Sequence, residues 1–210
     1  NNRNKMNIAI IGTGYVGLVT GISLASLGHQ VTCVGRKRDK INTINSGKSP
    51  FHESGADKLL KKVISRKLFK ATDKFEESVV ASDITIVAVG TPTVDCAIAL
   101  SAIKKASEQI GKAIRNSRRY HVVVIKSTVV PTTTERAILP IIKKHSGKRP
   151  PEFGLCMSPE FLREGNAIED ALHPDRIVIG QYDKKSGMKF ADLYEKVSCP
   201  KLFTTLATAE

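Results

Sequence analysis

The chain has 210 residues, 41% of them hydrophobic, and a formal net charge of +13. That length and apolar content support one sizeable core, and no apolar run is long enough to span a bilayer. Aromatics make up 5% with no Trp, which argues against a base-stacking platform.

Four cysteines, Cys33, Cys96, Cys156 and Cys199, lie far apart with no CxxC spacing. They read as reduced thiols of a cytoplasmic protein, not as a disulfide framework or a zinc site. The opening "NNRNKMNIAIIG" is not read as a signal peptide, because no small-residue cleavage site follows. Residues 1–50 and 101–150 hold 19 Lys/Arg against 3 Asp/Glu, whereas residues 151–210 hold 7 against 10. Such a basic part suits an anionic partner, either nucleic acid or a phosphate-bearing small molecule. Solvated helix faces account for most of "KKASEQIGKAIRNSRR".

Apolar β-branched runs predict strands over 7–11, 30–34, 84–89, 121–127, 153–157, 176–179 and, more weakly, 201–204. Helical spacing predicts helices over 15–27, 38–45, 56–65, 101–114, 133–145 and 185–197. Runs such as "DITIVAVG" are apolar nearly throughout, as expected of strands covered on both faces. The expected fold is therefore α/β: Rossmann-like and doubly wound, with a mostly parallel sheet and helices on both faces. Its ligands belong at the carboxyl ends of the strands.

The first strand leads into "GTGYVG", where Gly12, Gly14 and Gly17 form G-x-G-x-x-G around Thr13, Tyr15 and Val16. The first glycine permits a tight turn, the second lets backbone approach a pyrophosphate, and the third packs helix against strand. The second strand ends in "CVGRKRDK". A site for NAD places an acid there to hold the ribose hydroxyls. Here Gly35 stands instead, followed by Arg36, Lys37 and Arg38, a cluster suited to a 2′-phosphate. The cofactor expectation is NAD or NADP, with this cluster leaning toward NADP.

Later strands end in "VAVGTPT" and "IKSTVVP", so Gly90 and Thr91 are expected to let a dinucleotide lie over the sheet edge. Ser127 and Thr128 are placed to bond a ligand, a water or the following helix. Then comes "SPEFLREGNAIEDALHPDRIVIG". Pro159 suits a first helical position, which predicts a helix with Glu160 in its first turn and Glu164 four residues on. Arg163 is expected to screen the two like charges. Glu164 is the costlier charge and the one expected to be kept for a ligand. No metal is expected, since no His or third carboxylate lies at ligand spacing, and His173 reads as a surface turn residue.

These blocks, in this order and closed by "TTLATAE", resemble the UDP-glucose/GDP-mannose dehydrogenase family from Met6 to Glu210. "PEFLREG…PDRIVIG" looks more like the UDP-glucose enzymes than the GDP-mannose ones. The resemblance implies two successive oxidations of a nucleotide-sugar C6 alcohol, through a cysteine thiohemiacetal and thioester. It implies NAD as the dinucleotide, a preference that Gly35 in place of the family's acid runs against, and it implies that Gly12, Tyr15, Val16, Gly17, Lys40 and Thr91 contact it. Thr128 and Glu160 or Glu164 would hold and activate the hydrolytic water. Glu160, Phe161, Leu162, Arg163 and Glu164 would line the sugar and diphosphate.

The family continues beyond Glu210 into a central helix, which builds a homodimer, and a sugar-binding domain with the cysteine. Residues 1–204 are accordingly expected to be the dinucleotide-binding domain, and 205–210 the start of the linker. Alone, such a chain is expected to bind dinucleotide without completing the oxidation. Cys156, flanked by Leu155 and Met157, reads as a core thiol and no substitute. The family's Pro-Gly after "STV" is replaced by Val130 and Thr132, and "TPTVDCAIAL" looks shortened. A dinucleotide-sensing or nucleic-acid-binding module is the alternative of another class.

Overall fold

The structure, a computed structural model, describes residues 5–94 and 97–210; Cys96, expected as a reduced thiol, lies outside them. In chain order the elements begin with β1 (Asn7–Ile11), α1 (Tyr15–Ser26), β2 (Gln30–Val34), α2 (Arg38–Asn45) and α3 (Ala56–Ser65). Next come β3 (Phe69–Thr72), α4 (Phe75–Val80), β4 (Ile84–Val87), a hairpin of β5 (Thr93–Val94) and β6 (Ala97–Ile98), and α5 (Ser101–Ile114). The remainder is β7 (His121–Ile125), a wide π turn (Thr134–Ile138), α6 (Leu139–Ser146), β8 (Phe153–Met157) and α7 (Ala167–Leu172). β9 (Ile177–Gln181), α8 (Lys184–Ala191), a 3-10 turn (Asp192–Tyr194), β10 (Lys201–Thr204) and α9 (Leu206–Ala209) complete it.

Eight strands form one sheet in the order β10-β9-β8-β7-β4-β1-β2-β3. Every pairing is parallel except β8 with β9. Alternate residues feed two cores, as strand geometry requires. From β7, Val122 and Val124 meet Leu18 and Ile22 of α1 and Leu60 of α3 in one core. Val123 and Ile125 join Ile110 of α5 and Ile142 of α6 in the other. Helices thus cover both faces, and the doubly wound expectation holds. The chain runs from β1 outward to β3, then returns to place β4 on the other side of β1. The carboxyl edge between β1 and β4 is therefore the point where winding reverses and a crevice opens.

Several short elements escape the sequence reading: β3, α4, the hairpin strands β5 and β6, and α9. β3 and α4, at four and six residues, are too brief for a period to show. The helix predicted over 133–145 is divided, because Pro140 lacks the N–H that would continue an α turn, and the chain widens into the π turn before it.

The helix predicted from Pro159 does not form there. Residues 158–163 are extended or irregular, and α7 starts only at Ala167. Ser158 continues the strand, its N–H donating to Ile125 O at 2.9 Å. Gly165 adopts φ +83°, a left-handed conformation that no right-handed helix accommodates.

Candidate active site: the carboxyl edge of the sheet

The glycine turn is closed by its own backbone. Gly12 has φ +123°, and a Cβ there would collide with Ala88 O in the loop after β4. A Cβ on Gly17 would collide with Gly12 O, while one on Gly14 would meet nothing within 4 Å. So Gly12 and Gly17 carry the tight packing, and the helix start at Gly14 faces open space. The N–H groups of Tyr15, Val16 and Gly17 in the first turn of α1 have no intrahelical acceptor. Gly14 caps the helix with no side-chain bond, and no acid sits in its first turn. A pyrophosphate fits this cradle: donors point outward, backbone can approach closely, and no charge repels it.

Hydrogen bonds join the loops beside it. Gly12 N donates to Val34 O (2.9 Å), and Gly35 N to Thr72 O (2.9 Å). Thr91 Oγ1 donates to Thr128 O (2.7 Å), and Ser127 Oγ to Val89 O (2.7 Å), tying the loops after β4 and β7 together. Above Gly90 a Cβ would meet nothing within 4 Å. Thr128 is exposed at the end of β7, and Glu160 is half-buried beyond the end of its parallel neighbour β8.

The loop carrying Phe161, Leu162, Arg163 and Glu164 is organised by acids that sequence reasoning did not single out. Glu53, only 7% exposed, accepts from Gly165 N (2.9 Å) at Oε2 and Ala167 N (2.9 Å) at Oε1. It thereby caps α7 from far along the chain. The Tyr15 hydroxyl also donates to Glu53 in a short bond, and the Tyr15 ring lies 4.9 Å from that of Phe51. Burial pushes the Glu53 carboxyl up, but the bonds from Tyr15 and the backbone N–H groups of Gly165, Ala167 and Ile168 outweigh it and hold it below its usual value. Burial, together with Glu53, pushes the Tyr15 hydroxyl up to about 12. Tyr15 thus spends its side chain linking the glycine turn to this loop, leaving its N–H for a ligand.

Arg163 does not screen Glu160 and Glu164. Its guanidinium grips Asp170 (Nη2 to Oδ1 2.6 Å, Nε to Oδ2 3.1 Å), and its backbone N–H donates to the same carboxylate (2.9 Å). These bonds from Arg163 hold Asp170 at about 2. Glu160 turns back to accept from Leu162 N (2.9 Å) and faces the Lys126 ammonium, which burial lowers to about 8. Among the described residues no hydrogen bond or ion pair holds the exposed Glu164 carboxylate, although its charge reaches Tyr15. Phe161, 51% exposed, lies under the Arg176 guanidinium at 4.7 Å. This loop roofs a cavity of about 450 Å³ lined by Lys126, Glu160, Arg163, Asp170 and Arg176.

The sequence profile of the UDP-glucose/GDP-mannose dehydrogenase family, NAD binding domain, matches residues 6–198. The chain belongs to this family. It is 39% identical over 207 residues to the GDP-mannose 6-dehydrogenase of Pseudomonas syringae pv. syringae, covering 98% of this chain and 47% of that protein. To the UDP-glucose 6-dehydrogenase of Bacillus subtilis it is 40% identical over 206 residues, covering 98% and 46%. A crystal structure of a ternary complex of GDP-mannose dehydrogenase from Pseudomonas aeruginosa superposes with a TM-score of 0.95 at 37% identity, covering 97% of this chain and 47% of that one. The chain thus spans about half the length of the curated relatives it matches. Enzymes for both sugars match within one percentage point of identity, so overall likeness does not favour the UDP-glucose type.

Membership makes the glycine cradle part of an NAD(P)-binding domain. Cys156 is fully buried in β8, and burial pushes its thiol up to about 12, which leaves it a core thiol. His173 is exposed, 3.8 Å from Glu169. Among the described residues no group of three or more His, Cys, Asp or Glu is placed to hold a metal, and no helix is long and apolar enough to cross a membrane.

Proposed function

We propose that this chain is the cofactor-binding portion of an NAD(P)-dependent nucleotide-sugar 6-dehydrogenase, with UDP-glucose as substrate and UDP-glucuronate as product. Residues 1–204 act as the dinucleotide domain and 205–210 lead toward the remainder of the enzyme, a homodimer. The observation that carries this reading is the open cradle above Gly14 at the winding reversal between β1 and β4. Each turnover consumes one water and two oxidised dinucleotides: the C6 alcohol becomes a carboxylate, with two hydrides transferred and three protons released. A nicotinamide held here supplies the hydride acceptor.

The chain's own residues bind, position and exclude. Gly12, Thr13, Gly14, Tyr15, Val16 and Gly17 hold the pyrophosphate, Gly35, Arg36 and Lys40 the adenosine end, and Gly90, Thr91 and Glu164 the nicotinamide side. Thr128 and Glu160, which follow neighbouring parallel strands, hold the water that hydrolyses the acyl intermediate. Glu164 is the second candidate for that water. Phe161, Leu162 and Arg163 form the wall against sugar and diphosphate. GDP-mannose is the second reading for the sugar, since a GDP-mannose 6-dehydrogenase is also 39% identical to this chain.

Calorimetric titration of the chain with NAD and NADP tests the first part. Saturable dinucleotide binding with weak salt dependence is expected. No dinucleotide binding, together with duplex binding that falls by orders of magnitude with salt, would overturn it in favour of a nucleic-acid module. Turnover of UDP-glucose against GDP-mannose by the longer protein decides the sugar, and turnover by this chain alone would refute its incompleteness.

A further inference from the structure

In a dinucleotide site the carboxyl end of the second strand meets the adenosine ribose, where an acid takes both hydroxyls. β2 ends at Val34, and Gly35 occupies that place, buried. The space its missing Cβ would fill belongs to Thr13: Cγ2 lies 2.8 Å and Oγ1 2.9 Å from that position. Thr13 is itself only 9% exposed within the glycine turn. An acid at position 35 would have to displace it. Packing thus acts beside composition here: glycine leaves room for Thr13, and a carboxylate would require the threonine side chain to turn aside.

What surrounds the gap is cationic. Arg36, Lys37 and Arg38 are exposed and Lys40 is half-buried, with Asp39 the single acid among them. Lys37 caps α2 without a side-chain hydrogen bond, so its first N–H groups remain free for an acceptor. Positive charge at a helix start opposes the helix dipole. Burial and the charge of Lys37 both lower the Lys40 ammonium. A phosphate dianion at this point would satisfy these donors and offset the crowded positive charge, whereas a neutral ribose hydroxyl could accept from an N–H but would leave the charge uncompensated.

We infer that this edge selects a dinucleotide carrying a 2′-phosphate, so that the domain prefers NADP to NAD, with Arg36 as the specificity-determining residue. The planar guanidinium suits a two-point grip on a phosphate, and Lys37 and Lys40 add point charges. The inference rests on the dinucleotide reading above, and the test separates the two.

The chain is titrated with NADP, NAD, adenosine 2′-monophosphate and adenosine 5′-monophosphate, in low and moderate salt. NADP should bind roughly tenfold or more tighter than NAD, and the 2′-monophosphate tighter than its 5′ isomer, with both margins narrowing as salt rises. Arg36→Ala, on an exposed side chain, should cost NADP roughly tenfold and cost NAD markedly less, because NAD lacks the phosphate that the guanidinium grips. NAD binding as well as NADP, or an equal loss of both in Arg36→Ala, overturns the selectivity and leaves the dinucleotide reading standing. Binding of neither dinucleotide overturns both.

Discussion

The turn at 12–17 and the loop at 158–166 lie on the same edge of the sheet and are built in opposite ways. The turn is local: Gly12, Gly14 and Gly17 specify it within six residues, and backbone from Ala88 completes it. The loop is remote-controlled. Its hydrogen bonds to Glu53 span 112 and 114 residues of sequence, and Tyr15 reaches it through the same carboxylate. A turn made of backbone contacts resists substitution at its glycines. A loop made of side-chain bonds is lost with one acid.

The largest expected effect breaks the turn. In Gly12→Ala the added methyl collides with Ala88 O, and alanine is forced to φ +123°. Overpacking and backbone strain together predict a loss of about 4 kcal/mol in urea unfolding. Dinucleotide affinity should fall with it.

Glu53→Ala breaks the loop instead. It leaves the N–H groups of Gly165 and Ala167 and the Tyr15 hydroxyl without their acceptor. We expect a loss of about 3 kcal/mol, with unpaired buried donors as the cause. Dinucleotide affinity should stay within about threefold, because the glycine turn keeps its own backbone support. An equal fall in dinucleotide binding would mean the two regions form one unit, joined through Tyr15, and the contrast drawn here would be lost.

That contrast also explains what the sequence disclosed. β1, β2 and β8 are read to the residue because short apolar runs bounded by turn signals leave little choice. The glycine turn is legible for the same reason, each glycine having a local task. Glu53 is not: in "SPFHESG" it looks like any loop acid, and its partners appear only once β1 and β8 are in one sheet. The misplaced helix has the same origin. Pro159 and Glu160 have the residue types of a helix start, but the donors that need capping are those of Gly165 and Ala167, and a distant acid caps them. Thr13 against Gly35 belongs here too, since no spacing rule pairs a turn residue with the end of the next strand.

Acid sets the loop apart from the sheet itself. His121, at the start of β7, is 4% exposed, donates from Nδ1 to Ser82 O (3.1 Å) and accepts at Nε2 from Thr85 Oγ1 (2.9 Å). Burial holds it neutral down to about 4, against 6.5 when unfolded. The unfolded chain therefore takes the proton first. Its contribution is complete above pH 6.5 and is lost as pH falls to about 4, up to about 3 kcal/mol in all. Glu53 has the opposite charge type and the same sign. Its lowered carboxyl stabilises the fold above its ordinary value of 4.5, and that part goes only as pH falls below it. Between pH 6.5 and 4.5 the loss should thus follow the buried histidines, His121 on β7 and His29, whose imidazole burial also lowers, and His121→Gln should shrink it. Below that range Glu53→Ala should remove one part of the remaining loss, and Asp170, held at about 2 by Arg163, carries another. A profile unchanged by His121→Gln would remove the histidine from this account.

The smallest effect concerns a backbone demand that the two sides of the edge meet differently. Gly165 in the loop after β8 has φ +83°, and Thr132 after β7 has φ +75°. Glycine takes that conformation freely, whereas a β-branched residue is strained in it. The strain at Thr132 is held from both sides: Thr133 N and Oγ1 both donate to Val130 O (3.1 and 2.6 Å), and Arg136 N donates to Thr132 O (2.8 Å). One residue further on, Thr134 N donates to Glu210 Oε1 (2.6 Å). Thr132→Gly keeps every one of these backbone bonds and removes the strained Cβ. Relief of about 1–2 kcal/mol, less roughly half a kcal/mol for the freer unfolded chain, predicts a net gain of about 1 kcal/mol. For a chain of this size that is a rise in Tm of roughly 2–4 °C. If Tm rises and dinucleotide affinity holds, the threonine is a tolerated replacement in a loop whose neighbours fix its path. If Tm does not rise, the bonds around Val130 and Arg136 depend on the threonine side chain, and the loop after β7 is as side-chain-dependent as the one after β8.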